Sequence, residues 1–250
     1  MMKNQKQPWV KSSFFELLKR AEDFLIPPLC VICNGALGSE RWLCPACLDA
    51  LSVNHNTRDP CPRCSQNRRI RECACEFAWD YPFEKVFSAY DYDDTLRSIA
   101  RHIKYKGKKR LAHHIGQICF PLVPRDFFDE IDIVLPVPLH SSRMRSRGYN
   151  QAEWFAKGVL KGVGGSLQLR TDLLRRVKNT GTQTRLDKEN RLLNLAGAFE
   201  VNPQKLHELK NKRLVLVDDI LTTGATVEAC TEELIKAGCA SVRALSMGRD

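Results

Sequence analysis

The segment Leu214 to Thr226, LVLVDDILTTGAT, constrains the fold of this chain more tightly than any other, because it prescribes a path as well as a composition. Four apolar residues, Leu214 to Val217, suit a strand buried in a parallel sheet. Asp218 and Asp219 follow where that strand is expected to end. Thr222, Thr223, Gly224, Ala225 and Thr226 then supply hydroxyls and small residues. After them an apolar periodic stretch through Val227, Leu234 and Ile235 reads as a helix. A glycine-containing turn that opens a helix is an anion site: its amides approach closely, and the positive end of the helix dipole favours negative charge. Two carboxylates beside it would repel a bare phosphate, so they suit sugar hydroxyls or a metal held next to the phosphate. An ordinary capped strand-to-helix turn fits part of the same string. The phosphate geometry fits every position of it.

The cysteines set the domain organisation. A chain of 250 residues holds one sizeable core, or a medium core and a small module. Eight of its eleven cysteines fall between Cys30 and Cys75, as three C-x-x-C pairs and a final C-x-C. Tetrahedral zinc takes four thiolates, and such pairs present two each, so about two zinc sites are expected. The sequential assignment is Cys30, Cys33, Cys44 and Cys47 for one ion and Cys61, Cys64, Cys73 and Cys75 for the other. Spacing alone leaves interleaved pairing open.

A disulfide framework would need an oxidising compartment. The apolar run from Trp9 to Leu25 is broken by Lys11, Glu16, Lys19, Arg20, Glu22 and Asp23, so it lacks the core of a secretory signal. No stretch reaches the length that spans a bilayer. The expectation is a cytoplasmic protein in three parts: an amphipathic helix in 1–28, a double zinc module in 29–76, and an α/β domain in 77–250. Between Cys30 and Glu76 there is little apolar periodicity, so metal must supply the stabilisation there.

From Phe77 onward, strands and helices alternate. Val86–Tyr90, Ile131–Val137, Leu214–Val217 and Val242–Leu245 read as strands; Asp94–Tyr105, Leu111–Phe120 and a stretch from about Asn150 read as helices. Such alternation predicts a doubly wound open parallel sheet with helices on both faces and its ligand at the carboxyl ends of the strands. The net charge is +10, and basic residues cluster in three places: Lys104 to Arg110, Arg143 to Arg147, and Arg175 to Lys178. A surface of that kind attracts polyanions, either nucleic acid or a polyphosphate substrate.

The pairing of acids with a phosphate turn resembles the phosphoribosyl pyrophosphate signature of type I phosphoribosyltransferases. The resemblance implies that Asp218 and Asp219 hold ribose hydroxyls and that Thr222, Thr223, Gly224, Ala225 and Thr226 hold the 5′-phosphate. The stretch IDIVLPVPLHSSRMRSRGYNQAE resembles the pyrophosphate-loop region of amidophosphoribosyltransferases, which makes Pro138, His140, Arg143 and Arg147 its contacts. RRVKNTGTQTRLDKENRLLN resembles the loop that closes over substrate in those enzymes and adds Lys178, Thr182, Gln183 and Arg191. Behind a multi-cysteine module, this arrangement looks like the ComF family.

That family implies a double zinc ribbon ahead of a type I phosphoribosyltransferase-like domain, with phosphoribosyl pyrophosphate and magnesium as its ligands. It also implies a role with single-stranded DNA and other transformation proteins during natural competence. One departure matters: purine-salvage enzymes place an acid, often assigned as general base, where Thr222 stands, and a threonine does not accept a proton at neutral pH. A 6-oxopurine acceptor is therefore disfavoured. A phosphoribosyltransferase with another acceptor and a non-catalytic protein that senses the donor and holds DNA both remain open, and the sequence is silent on oligomeric state.

Overall fold

The computed structural model describes residues 28–38, 42–56, 58–73, 75, 81–105, 107–164, 167–180 and 195–250. The amphipathic stretch expected in 1–28 and the loop residues Thr182, Gln183 and Arg191 lie outside the described residues, apart from Pro28. The chain divides into two compact units, 1–50 and 51–250. Among the described residues, no helix is long and apolar enough to cross a membrane.

In the first unit a tight turn follows Cys30. Asn34 takes a left-handed conformation (φ 58°), its amide donates to Cys30 O at 3.0 Å, and the Cys30 amide donates to Gly35 O at 2.8 Å. Leu29 and Ala36 bridge antiparallel across it. Helix α1 (Pro45–Asn56) starts directly after Cys44, and its amide at Leu48 bonds Cys44 O. Leu43 is buried as its apolar character predicts, but Leu48 is 37% exposed.

The second unit contains β1 (Lys85–Asp91), α2 (Asp94–Tyr105), α3 (Lys109–Cys119), β2 (Ile133–Pro136), α4 (Ser141–Arg147), α5 (Gln151–Val163) and β3 (Gln168–Leu169). It continues with β4 (Leu174–Arg176), β5 (Phe199–Val201), β6 (Arg213–Leu221), α6 (Ala225–Lys236) and β7 (Ser241–Arg249). Five strands form one parallel sheet in the order β1-β7-β6-β2-β3, and β4 and β5 make a small antiparallel ribbon.

Helices cover both faces. Alternate residues of β2, β6 and β7, among them Leu135, Leu216 and Ala244, pack with Val227, Cys230 and Leu234 of α6 and with Phe199 of the ribbon. On the other face, α5 packs on β2 and β6 and α3 reaches β7. Two choices of residue make that second layer. Helix α2 buries Leu96, Ile99, Ala100 and Ile103, an i, i+3, i+4, i+7 stripe, and Asp93 caps it by accepting from the Leu96 amide at 2.8 Å. Helices α3 and α5 meet at Gly116 and Gly158, where a methyl on Gly158 would stand 2.0 Å from His113 O. Only glycine permits that backbone approach.

The connections decide where a ligand fits. From β2 the chain moves outward to β3, and from β6 it moves the other way to β7, so the crevice between β2 and β6 is a topological switch point. Strand β6 is longer than its apolar run suggests. It pairs with β2 only as far as Pro136 opposite Val217, but it stays paired with β7 through Leu221 opposite Arg249. Asp218 and Asp219 therefore lie within the strand rather than at its end. They stand where its neighbour on one side has left.

Candidate functional site

The two acids face a built environment. The Asp218 carboxylate accepts from the Asp219 amide at 2.8 Å, and the Asp219 carboxylate accepts from the Ile220 amide at 3.0 Å. Lys104, from the last turn of α2, brings its Nζ to 2.7 Å from Asp219 Oδ2. Burial, and then the Asp219 charge, push the Asp218 carboxyl up to about 7. Burial pulls the Lys104 ammonium down, yet Asp219 and then Asp218 outweigh it and hold it above its ordinary value. The pair thus carries an internal counter-ion and far less negative charge than two free carboxylates.

The turn after the strand is shaped for close approach. Gly224 is buried, takes φ 83° and precedes the first residue of α6; a side chain there would meet only the Tyr81 ring, so the left-handed backbone is what requires glycine. The Ala225 amide donates to Thr223 Oγ1 at 3.4 Å and the Glu228 amide to Gly224 O at 2.9 Å. Among the described residues, no protein acceptor takes the amides of Thr223 or Gly224. Thr222 is exposed, and Thr223 and Thr226 are half-buried. Asp218 and Asp219 thus lie on β6, and residues 222–226 follow directly from its end.

The stretch after β2 forms the other wall of the crevice. Asn150 fixes it, since its Nδ2 donates to Val137 O at 2.8 Å while its Oδ1 accepts from the Ala152 amide at 3.0 Å, tying the start of α5 to the end of β2. Pro138 lies in the link to α4, and His140 caps that helix by accepting from the Ser142 amide at 3.3 Å. Gly148 ends α4 in a left-handed turn. Arg143 donates to Thr180 O at 3.1 Å, and Arg147 to Gln151 Oε1 at 2.9 Å.

Arg176 joins this wall from β4, whose backbone bridges His140. Its guanidinium donates to Thr180 Oγ1 and lies 5.3 Å from the Phe199 ring centroid. Burial, followed by the Arg143 charge, pulls it below its ordinary value, and the Asp218 charge acts against them. Among the described residues, its Nε has no acceptor. Lys178 is exposed and donates to Ala196 O at 2.7 Å, across the ribbon that brackets residues 181–194. Neither Lys104 nor Arg176 stands out in the sequence as part of this site; each is one member of a basic cluster.

Two cysteine groups are assembled. The sulfurs of Cys30, Cys33, Cys44 and Cys47 lie within 4.8 Å of one another, and so do those of Cys61, Cys64, Cys73 and Cys75. The second group repeats the turn of the first: Ser65 takes φ 59°, its amide donates to Cys61 O at 2.9 Å, and the Cys61 amide donates to Gln66 O at 2.8 Å. Sulfurs also accept amides, as Cys33 Sγ does from Gly35 at 3.4 Å and Cys30 Sγ from Cys44 at 3.5 Å. Burial raises Cys30, but amides from Cys33, Cys44 and Ile32 outweigh it and bring the thiol down to about 6. Burial pushes Cys47 and Cys75 upward. Four sulfurs held this closely, some favouring thiolate, fit a divalent cation at the centre of each group.

The second group is fastened to the edge of the large sheet. The Val86 amide donates to Arg63 O at 2.6 Å and the Ser88 amide to Ser65 Oγ at 2.9 Å, which covers the otherwise open β1 edge. Arg58 is buried beneath this seam, paired with Asp91 at 2.9 Å and donating to the carbonyls of Ser65 and Ser88. A separate cavity of about 520 Å³, lined by Phe120, Val123, Phe128 and Val163 among others, lies before β2 and past α5, at the end of the sheet away from the acids.

Comparison with known proteins places this architecture. The family model described as "Phosphoribosyl transferase domain" matches residues 127–247, which include β2, β6, α6 and the acid pair. The chain is 27% identical over 227 residues to the DNA utilization protein YhgH of Salmonella typhimurium, covering 87% of this chain and 95% of that protein. It is 25% identical to Competence protein F of Haemophilus influenzae, covering 88% of this chain and 96% of that one. To Competence protein ComFC of Bacillus subtilis it is also 25% identical, over 90% of this chain and 87% of the relative. These relatives match most of the chain, which resembles the ComF family over that length, with the stretch matched by the phosphoribosyl transferase domain lying behind its paired cysteine groups.

Proposed function

We propose that the crevice between β2 and β6 binds phosphoribosyl pyrophosphate with magnesium, and that the protein uses it in the cytoplasmic handling of single-stranded DNA. One observation carries the reading: β6 carries the acid pair at a switch point of a parallel sheet and runs directly into a left-handed glycine turn with open amides. Asp218 and Asp219 take the ribose hydroxyls as acceptors. Thr222 to Thr226 cradle the 5′-phosphate with amides and hydroxyls. Pro138 and His140 shape the facing loop, where Arg143, Arg147 and Arg176 supply donors for the pyrophosphate. Lys178 and Gln183 belong to the segment that closes over it.

Magnesium, when bound with the donor, neutralises charge on the leaving pyrophosphate oxygens. The carboxylates at the split in the sheet fit such a hard cation and its hydroxyl partners, and Lys104 lowers their repulsion of the donor before it arrives. The eight cysteines hold two zinc ions that stabilise their two turns. The DNA role rests on the relatives, of which one is named for DNA utilization and two for competence.

Thr222 favours a second reading, in which the donor is sensed and not consumed, because an exposed hydroxyl stands where salvage enzymes use a base. Incubation of the protein with labelled donor, magnesium and a panel of nucleobases and oligonucleotides separates the two. Pyrophosphate release with one acceptor establishes transfer; donor binding with no release across the panel establishes sensing; absence of donor binding ends both.

A further inference from the structure

Lys104 and Tyr105 are consecutive at the end of α2 and part in direction. Lys104 reaches into the crevice to Asp219, whereas the Tyr105 ring stands 73% exposed. The Arg147 guanidinium lies 5.8 Å from the centroid of that ring. It comes from the end of α4, and the two elements are fastened together because the Tyr149 hydroxyl donates to Ile103 O. Along the same rim, Trp154 of α5 is flanked by Lys109 at 5.0 Å and Lys157 at 5.1 Å. Glu153, the acid of that turn, is already matched by Lys157 at 2.6 Å.

The charge of this rim is mainly positive. Residues 104–110 hold five basic side chains and no acid, and α4 holds three arginines and no acid. An exposed ring among cations matches a chain with flat π-faces and a phosphate backbone. A protein partner would need a wider apolar patch, and among the described residues of α4 only Met144, 37% exposed, is a large exposed apolar side chain. A duplex hides its base faces.

We propose that Tyr105, with Arg147 beside it, is a stacking site for an unpaired base of single-stranded nucleic acid at the mouth of the Asp218–Asp219 crevice. This deepens the nucleic-acid side of the function proposed above and rests on that reading for the donor beside it. The strand's phosphates lie on Lys108, Lys109 and Arg110 and on Arg145 of α4, and its base lies on the tyrosine.

Fluorescence anisotropy with labelled oligodeoxythymidylate, an abasic strand of equal length and a duplex, at stepped salt, tests the site. Tyr105→Ala is expected to weaken thymidylate binding by about 5- to 100-fold, the loss typical of one stacked base. Tyr105→Phe keeps the ring and stays within roughly twofold of the parent on the same scale. The abasic strand binds the parent more weakly than thymidylate does, and Arg145→Gln reduces the salt slope by about one. Donor affinity, measured by calorimetry on the same preparations, is unchanged in Tyr105→Ala. Equal binding of abasic and thymidylate strands, duplex binding as tight as single-strand binding, no strand binding by the parent, or an alanine variant equal to the parent overturns the proposal. Base-dependent strand binding without any donor binding overturns the donor reading and leaves this surface standing.

Discussion

Lys104 changes what an acid pair beside a phosphate turn can do. Two adjacent carboxylates at a partly buried strand would repel an anionic donor, but a lysine at 2.7 Å and a protonation equilibrium near neutrality remove much of that repulsion. Breaking the pair with Lys104→Met is expected to cost roughly 1–3 kcal/mol, read as a lower denaturation midpoint, since the pair is neither fully buried nor free. Adding Asp219→Asn recovers part of the loss; additive losses would show that the two do not interact. The Asp218 carboxyl gives a second prediction. Its folded value is raised, so the native state holds its proton more tightly than the unfolded chain, and stability falls as pH rises from the ordinary aspartate range through about 7. Asp218→Asn removes that dependence: its stability advantage over the parent grows from pH 4 to 7 and then levels off, whereas a gap independent of pH would contradict the assignment. Residue order alone made Asp218, Asp219 and Gly224 legible, because they are neighbours in sequence. Lys104 and Arg176 were not legible, because each reaches the site from another element and only the fold joins them.

At the scale of elements, the pattern of apolar residues located every strand of the sheet except the two-residue β3, together with the main helices. Asn150 was readable as a cap, and it is one. The end of β6 was not readable. A run of two acids looks like the close of a strand, yet ladder bonds run through the backbone, and the long β7 continues to pair with residues past Val217. The ribbon of β4 and β5 was also hidden, since three residues carry too little periodicity to register. The crossing of α3 and α5 depends on two glycines that no periodicity singles out. Gly158→Ala sets a methyl against a carbonyl at 2.0 Å, and the forced separation is expected to cost about 1–3 kcal/mol, a fall of roughly 2–12 °C in melting temperature. A melting temperature equal to the parent's would show that the helices separate freely.

For the molecule as a whole, the spacing of eight cysteines foretold two groups, and the structure assembles them as consecutive sets of four. Spacing could not foretell that the second set covers the β1 edge, because that seam depends on Arg58, Ser65 and Asp91 meeting across the fold. Metal analysis of reduced protein is expected to return about two zinc ions per chain, and Cys61→Ser about one. One ion in the parent, or two in the variant, would contradict independent tetrads. The central claim is that the crevice between β2 and β6 holds a phosphoribosyl donor by its paired acids and glycine turn. Its most direct test is calorimetric titration of phosphoribosyl pyrophosphate with magnesium into the parent and into the protein carrying both Asp218→Asn and Asp219→Asn. Saturable binding by the parent and none by the double variant are expected, with zinc content equal in both; binding of equal affinity in the two proteins would contradict that claim.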